Sequence, residues 1–288
     1  MSDPRIAIAT SLPVADQPPG EQLLITALAQ IGAFATQAIW SSSEVDWTQF
    51  SAVVIRTCWD YHLRVPEFLT WIKLLEDSRI AVINHPELIR WNIDKTYLKH
   101  FAHNGIVIPE TIWLQPEAEK DIAKLCAAHA WQQAVIKPII SASAYGTERR
   151  NSGPVHGPMM IQQYLPAIET EGEWSLTYFD QEFSHAVRKR PRPADFRVQK
   201  DFGGSVEPAR PSSTLTTFAE AALSLLPYPA TFARVDLVEQ DGRTYLMEME
   251  VIEPELFLNY APESAHHLAR LILRELSPQR SLKHRKLS

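Results

Sequence analysis

The run Phe232–Glu250, FARVDLVEQDGRTYLMEME, places one arginine and three acids on two strand-like stretches. Strand side chains alternate faces, so Arg234 and Asp236 share one face, and Glu248 and Glu250 share a face of the next strand. The intervening Gln240-Asp241-Gly242 predicts a three-residue hairpin loop with Gly242 in the left-handed conformation. In that register Arg234 faces Glu248, Asp236 lies diagonal to it, and all four groups converge. A two-residue Asp-Gly turn would put Met247 opposite Asp236 and destroy the cluster. Three carboxylates on one sheet face repel one another unless a cation sits among them. An all-oxygen set favours Mg²⁺ completed by substrate phosphates. The alternative is an exposed acidic hairpin face.

Lysines supply the complementary charge. VIKP puts Lys137 at the end of an apolar strand, where lysine is rarely buried without a partner. Lys95 follows Asp94 at a predicted helix start, a position that attracts anions. Each alone reads equally as a solvated surface residue. After Lys137 comes PIISASAYGTERR, whose small and hydroxyl side chains let backbone N–H groups approach an anion. A strand lysine followed by a Ser/Gly loop has the character of a phosphate grip, although neither GxxxxGK[ST] nor GxGxxG is present.

Strand–helix alternation over residues 1–86 predicts a small parallel α/β domain. Its strands are Arg5–Thr10, Ala52–Ile55 and Ile80–Ile83; its helices are Glu21–Gly32 and Pro66–Asp77. Residues 87–165 combine helical pieces over Trp91–His103, strands at Thr111–Leu114 and Ala134–Lys137, and a helix over Pro116–His129. Residues 166–276 hold a hairpin of Trp174–Phe179 and Phe183–Lys189 across Asp180-Gln181, a helix over Thr214–Leu226, the acidic hairpin and a helix over Pro262–Leu276. The basic run 277–288 reads as a frayed tail. At 288 residues, 45% hydrophobic and 22% charged, usage is ordinary for a globular chain. The formal charge of −6 gives no global attraction to nucleic acid or anionic membrane. No apolar run reaches the roughly 18 residues of a membrane span, and the start lacks a signal-peptide pattern. Cys58 and Cys126 have no metal spacing and fit reduced thiols in the cytoplasm. Cys58 reads as a buried small hydrophobe. His266-His267 reads as a surface pair, since neighbours on a helix point in different directions.

In order along the chain, Lys95, Lys137, the loop Ser141–Thr147, the IQQYL segment, Glu173 in EGEW, the basic strand VRKR, ARVD and the paired glutamates resemble the ATP-grasp superfamily. RTCWDYH, KPIISASAYGT and LMEMEVIEPELFL resemble the branch containing the D-cycloserine-forming ligase, and more distantly glutathione synthetase and the ribosomal-protein glutamate ligases. The resemblance covers about residues 87–276 and implies an α/β (α+β) ATP-grasp fold: a small lobe over 87–165 and a large lobe over 166–276, after a pre-ATP-grasp domain over 1–86. It implies that Lys95, Lys137, Ser141, Ser143, Gly146 and Thr147 contact ATP phosphates, with Lys137 also near the adenine. Gln162, Gln163, Tyr164 and Leu165 would edge the adenine and Glu173 would bind the ribose. Asp236, Glu248 and Glu250 would hold Mg²⁺. Many members have Asn where Glu250 stands; Glu still offers oxygen.

Ligases of this superfamily phosphorylate a carboxylate with ATP, and an amine-type nucleophile attacks the acyl phosphate. Both reacting groups are anionic, so positioning and charge neutralisation carry the catalysis. Arg188, Arg197 and Arg234 are the candidates for that charge. Arg56, at the end of a strand where open α/β sheets bind ligands, could clamp a carboxylate or phosphate, or pair with Asp60 to tie the loop. Arg56, Asp60 and Glu253 are the substrate-pocket candidates, and Asp195–Gly204 reads as a substrate loop. The expected enzyme is a cytoplasmic ATP- and Mg²⁺-dependent ligase of small molecules, with ring closure of an amino-acid derivative as one form. It has no nucleic-acid or membrane partner; homodimers are a habit of the superfamily. The competing readings are a kinase-like phosphotransferase and a nucleotide-binding module without turnover.

Overall fold

The structure, a computed structural model, describes residues 3–11, 17–193, 195–199 and 202–277. The tail from 278 onward, and Lys200 and Asp201 of the expected substrate loop, lie outside the described residues.

The first sheet is parallel, in the order β2-β1-β3-β4: β1 (Arg5–Thr10), β2 (Phe34–Ile39), β3 (Ala52–Thr57) and β4 (Ala81–Ile83). Alternation divides its side chains between two cores. Ile6, Ile8 and Val54 pack with α1 (Pro19–Gln30) and α8 (Ser264–Glu275). Ala7, Ala9, Val53 and Ile55 pack with α2 (Val65–Asp77) and the aromatic group Trp40, Trp47 and Phe50. Every residue of β3 is buried, as a central parallel strand requires. Strand β2 was not anticipated, because FATQAI lies at the sheet edge, mostly half-exposed, and shows neither an apolar run nor clean alternation.

A short α3 (Pro86–Asn92) and α4 (Tyr97–His103) lead to the second sheet, whose antiparallel order is β5-β10-β7-β8. These strands are β5 (Thr111–Leu114), β7 (Ala134–Pro138), β8 (Glu148–Arg150) and β10 (Met159–Gln163). Ile136 and Ile161 pack under α5 (Ile122–Ala128), so Lys137 and Gln162, one residue on, face the other way. The helix expected over Pro116–His129 begins only at Ile122. Asp121 caps it by accepting from the Lys124 amide at 3.0 Å, and the residues before it form β6 (Glu119–Asp121), paired with β9 (Pro154–His156).

After α6 (Ala167–Thr170) comes the third sheet, antiparallel, in the order β13-β12-β11-β14-β15. Its strands are β11 (Glu173–Phe179), β12 (Glu182–Arg190), β13 (Ser205–Ala209), β14 (Phe232–Gln240) and β15 (Arg243–Glu250). Trp174, Leu176, Tyr178, Val235, Leu237 and Met249 pack against α4 and α7 (Ser213–Leu223). The opposite face looks into the cavity. Strand β15 is an edge, and an unpaired edge leaves backbone groups without partners. Here Asn92 donates to the Met249 carbonyl at 2.8 Å and accepts from the Val251 amide at 3.2 Å, and the Tyr97 hydroxyl accepts from the Met249 amide at 3.1 Å. Asn84 donates to the carbonyls of Phe232 and Val251, both at 2.8 Å, and ties β4 to the same hairpin. No described helix is long and apolar enough to cross a membrane.

Candidate active site

The acidic hairpin turns in two residues, not three. Asp241 and Gly242 both have positive φ, 52° and 71°, and Gln240 pairs with Arg243. That is the Asp-Gly hairpin turn whose twist matches the strands. The cluster survives because the ladder shifts register between Asp236 and Leu237: Leu237 pairs with Leu246, yet Asp236 pairs with Glu248 and Arg234 with Glu250. Met247 is the extra residue of a β-bulge. It turns into the cavity beside Glu248 and packs with Leu165, Ile168, Val198 and Val238.

Carboxylate oxygens of Asp236, Glu248 and Glu250 lie within 4.8 Å of one another. Ser175, across from Asp236 on β11, donates to it at 2.5 Å. Arg234 grips Asp236 with two nitrogens, at 3.0 and 2.9 Å, and reaches Glu250 at 2.5 Å. Lys95 donates to Glu248 at 3.0 Å, and Lys137 stands 4.0 Å from the same oxygen. Lys189 bridges Glu173 and Asp236, the latter at 3.2 Å. Burial works to raise the pKa of Glu248, but Lys95 and Lys137 outweigh it and hold the group well below the usual carboxylate range. Burial, reinforced by Asp236 and Glu248, pushes Glu250 up to about 8 in spite of Arg234. Burial lowers Lys137. Alternating charges on one sheet face thus neutralise each other pairwise.

These groups form one wall of a cavity of about 420 Å³ that extends to the Ser141–Thr147 loop, to Gln162, Gln163 and Leu165, and to Trp59 and Tyr61. The loop turns sharply: Ser143 and Ala144 have φ of 50° and 56°. Gly146, at φ +63°, lies so near Pro138 that a Cβ would come within 2.9 Å of its ring. Oxygen donors in this number, with lysines beside them, fit a divalent cation and an anionic ligand together.

Residues 6–84 match the family model described as the N-terminal domain of D-cycloserine synthetase DcsG. The cycloserine biosynthesis protein DcsG of Streptomyces lavendulae is 29% identical over 299 residues, covering 94% of this chain and 97% of that protein. The crystal structure of D-cycloserine synthetase DcsG superposes with a TM-score of 0.81 at 26% identity, over 95% of this chain and all of the other. A D-alanine–D-alanine ligase from Bacillus anthracis, solved with ATP, shares the fold at a TM-score of 0.66 and 17% identity, over 98% and 99% of the two chains. The chain is an ATP-grasp ligase.

The ligase brings Lys95, Lys137, Ser141, Ser143, Thr147, Gln162, Gln163, Leu165, Glu173, Arg197, Arg234 and Glu253 to the cavity wall together with the three acids. Arg197 is held there by Asp195, at 3.1 and 3.0 Å, and lies over the Phe202 ring. Others go elsewhere. Arg188 shares its parity with Trp174, covers that ring at 4.3 Å and donates to the Glu171 carbonyl. Its neighbour Lys189 takes the inward position, because it pairs with Glu173. Arg56 is buried in a pair with Glu21, at 2.8 and 3.2 Å, and does not reach the cavity. Asp60 accepts from the Trp40 indole at 2.7 Å. Arg56 and Asp60 therefore do not pair with each other as the sequence reading offered, and neither lines the cavity. Tyr164 turns to Glu169 and Arg149. Lys189, Asn84 and Asn92 escaped the sequence reading. Counting back from the Asp180-Gln181 turn pairs Glu173 with Arg188; a register shift between Thr177 and Tyr178 moves the pairing by one residue to Lys189, so the sequence pointed to the wrong neighbour. The two asparagines gave no signal, because their partners lie more than a hundred residues away.

Proposed function

We propose that this ATP-dependent carboxylate–amine ligase works with Mg²⁺ held by Asp236, Glu248 and Glu250, and that its reaction closes a ring within a small amino-acid derivative. The observation that supports the metal reading is the convergence of three carboxylates within 4.8 Å beside Lys95 and Lys137 in one cavity. Held by these three carboxylates, the ion would supply positive charge to offset that of the transferring phosphoryl group. Lys95, Lys137 and the Ser141–Thr147 loop bind the phosphates. Gln162, Gln163, Leu165 and Met247 surround the adenine, and Glu173 meets the ribose. The γ-phosphoryl group passes to the substrate carboxylate, giving an acyl phosphate and ADP. Arg234 and Arg197 steady the anionic acyl group. An amine nitrogen attacks the carbonyl carbon, the C–O bond to phosphate breaks, and the nitrogen loses a proton. Ring closure is supported by the likeness to D-cycloserine synthetase over nearly the whole chain.

The test is a screen of amino acids and their O-substituted derivatives for stimulated ADP and phosphate release, with mass spectrometry of the products. The expected product is lighter than one substrate molecule by one water. A product joining two molecules would replace ring closure with intermolecular ligation. A stable phosphorylated product would favour the kinase-like alternative.

A further inference from the structure

Arg149 connects the second sheet to two segments that belong with the third. It stands on the edge strand β8, which follows the Ser141–Thr147 loop, opposite Val135 of β7. It therefore shares the sheet face that carries Val135 and Lys137 to the cavity. Its guanidinium pairs with Glu169 on α6, which also accepts from the Tyr164 hydroxyl. The same guanidinium lies 4.7 Å from the centre of the Tyr164 ring and 5.3 Å from that of Phe196. The two rings meet edge to face, 6.3 Å apart at 87°. Arg149 does not itself line the cavity, but Phe196, Arg197 and Val198 do. Arg197 is tied within its own segment, to Asp195 at 3.1 and 3.0 Å, so the placement of that segment sets the placement of Arg197.

A partly exposed ion pair contributes little by itself. A planar guanidinium can pair through its edge and stack through its face at once, which a lysine ammonium cannot. Here the pairing comes from α6 and the stacking from Tyr164 and Phe196, so one side chain holds three segments together. We propose that Arg149 is a positioning residue: through Phe196 it clamps the segment 195–199, between β12 and β13, to the second sheet, and so holds Arg197 at the cavity wall. The bearing of this clamp on the reaction rests on the reading above, in which Arg197 steadies the acyl group; the clamp itself does not.

The test has two arms. Trypsin cleavage after Arg197, read by mass spectrometry, reports how often the segment lifts from the cavity. Arg149→Met and Phe196→Leu should each speed it about five- to tenfold, and the double variant should cleave no faster than the quicker single one. Phe196→Tyr keeps the ring and should cleave at the wild-type rate. Arg149→Lys keeps the charge but not the planar stack, and should recover little of the protection. Full protection in Arg149→Lys would reduce the contact to a surface ion pair, and additive effects in the double variant would disconnect Arg149 from Phe196; either overturns the inference. If Arg149→Met fails to fold, the two Phe196 variants decide: wild-type cleavage in Phe196→Leu overturns it. The second arm measures ADP release with the amino acids and O-substituted derivatives of the screen above. For a compound that stimulates it, Arg149→Met should lower kcat about ten- to hundredfold, leave KM for ATP unchanged, and cause no further loss in an Arg197→Gln background. A further loss there overturns positioning through Arg197. If no compound stimulates the wild-type chain, the ligation reading fails instead, and the trypsin arm still decides the clamp.

Discussion

Asp236 stands directly across the hairpin from Glu248 because Met247 is looped out between Glu248 and Leu246. The Asp241-Gly242 turn fixes one register near the loop, and the bulge resets it by one residue at the cavity. That single extra residue decides whether the acids meet. It also turns Met247 and Glu248, consecutive in sequence, toward the same cavity.

Glu248→Gln keeps the size of the side chain and removes its charge. Turnover should fall about 10²–10³-fold while ATP still binds with near-normal affinity, and the Mg²⁺ concentration for half-maximal rate should rise. Steady-state kinetics across a Mg²⁺ titration checks this. Normal turnover would remove Glu248 from the proposed metal set.

Lys189 and Arg188 are neighbours of opposite parity. Lys189→Met strips the cation from two buried acids, Glu173 and Asp236, and should cost about 3–5 kcal/mol of stability together with most activity. Arg188→Gln removes an outward group and should change turnover by no more than about twofold. Urea denaturation and ADP release on both variants separate the two positions. Equal losses would contradict the observed parity.

Asn92→Leu leaves the Met249 carbonyl and the Val251 amide without their side-chain partner. At about 1–3 kcal/mol for each buried group left unpaired, the variant should unfold at clearly lower urea and exchange its β15 amides faster. Hydrogen exchange at Val251 unchanged from wild type would show that the asparagine does not hold the edge.

The His185 ring donates through Nε2 to the Leu256 carbonyl at 2.7 Å and accepts at Nδ1 from Ser184 at 2.9 Å. Burial holds its pKa below the ordinary 6.5, and burial lowers His62 in the same sense. The unfolded chain therefore takes up these protons first on acidification. The associated stability is present above about pH 6.5 and is lost as pH falls through the folded-state values. His185→Gln should narrow the difference between urea midpoints measured at about pH 7.5 and about pH 5.5. An unchanged difference would exclude His185 as a contributor.

The sequence alone determined what depends on local pattern: the strands that carry Lys137 and Asp236, the helices that cover them, the small-residue loop, and the motif order that reads as ATP-grasp. These follow from side-chain alternation, turn residues and spacing, which neighbours in the chain impose on one another. Only the tertiary structure decided which charges meet. Arg56 was taken by Glu21 from a helix 35 residues earlier, and Lys189 rather than Arg188 turned inward because β12 pairs in register with Glu173. The acidic cluster was anticipated with the wrong turn, since a bulge is set by how β15 packs against α4 and the cavity rather than by the loop residues. Ion pairing and burial sum over distant segments, and a one-dimensional pattern does not record which of several nearby charges arrives first.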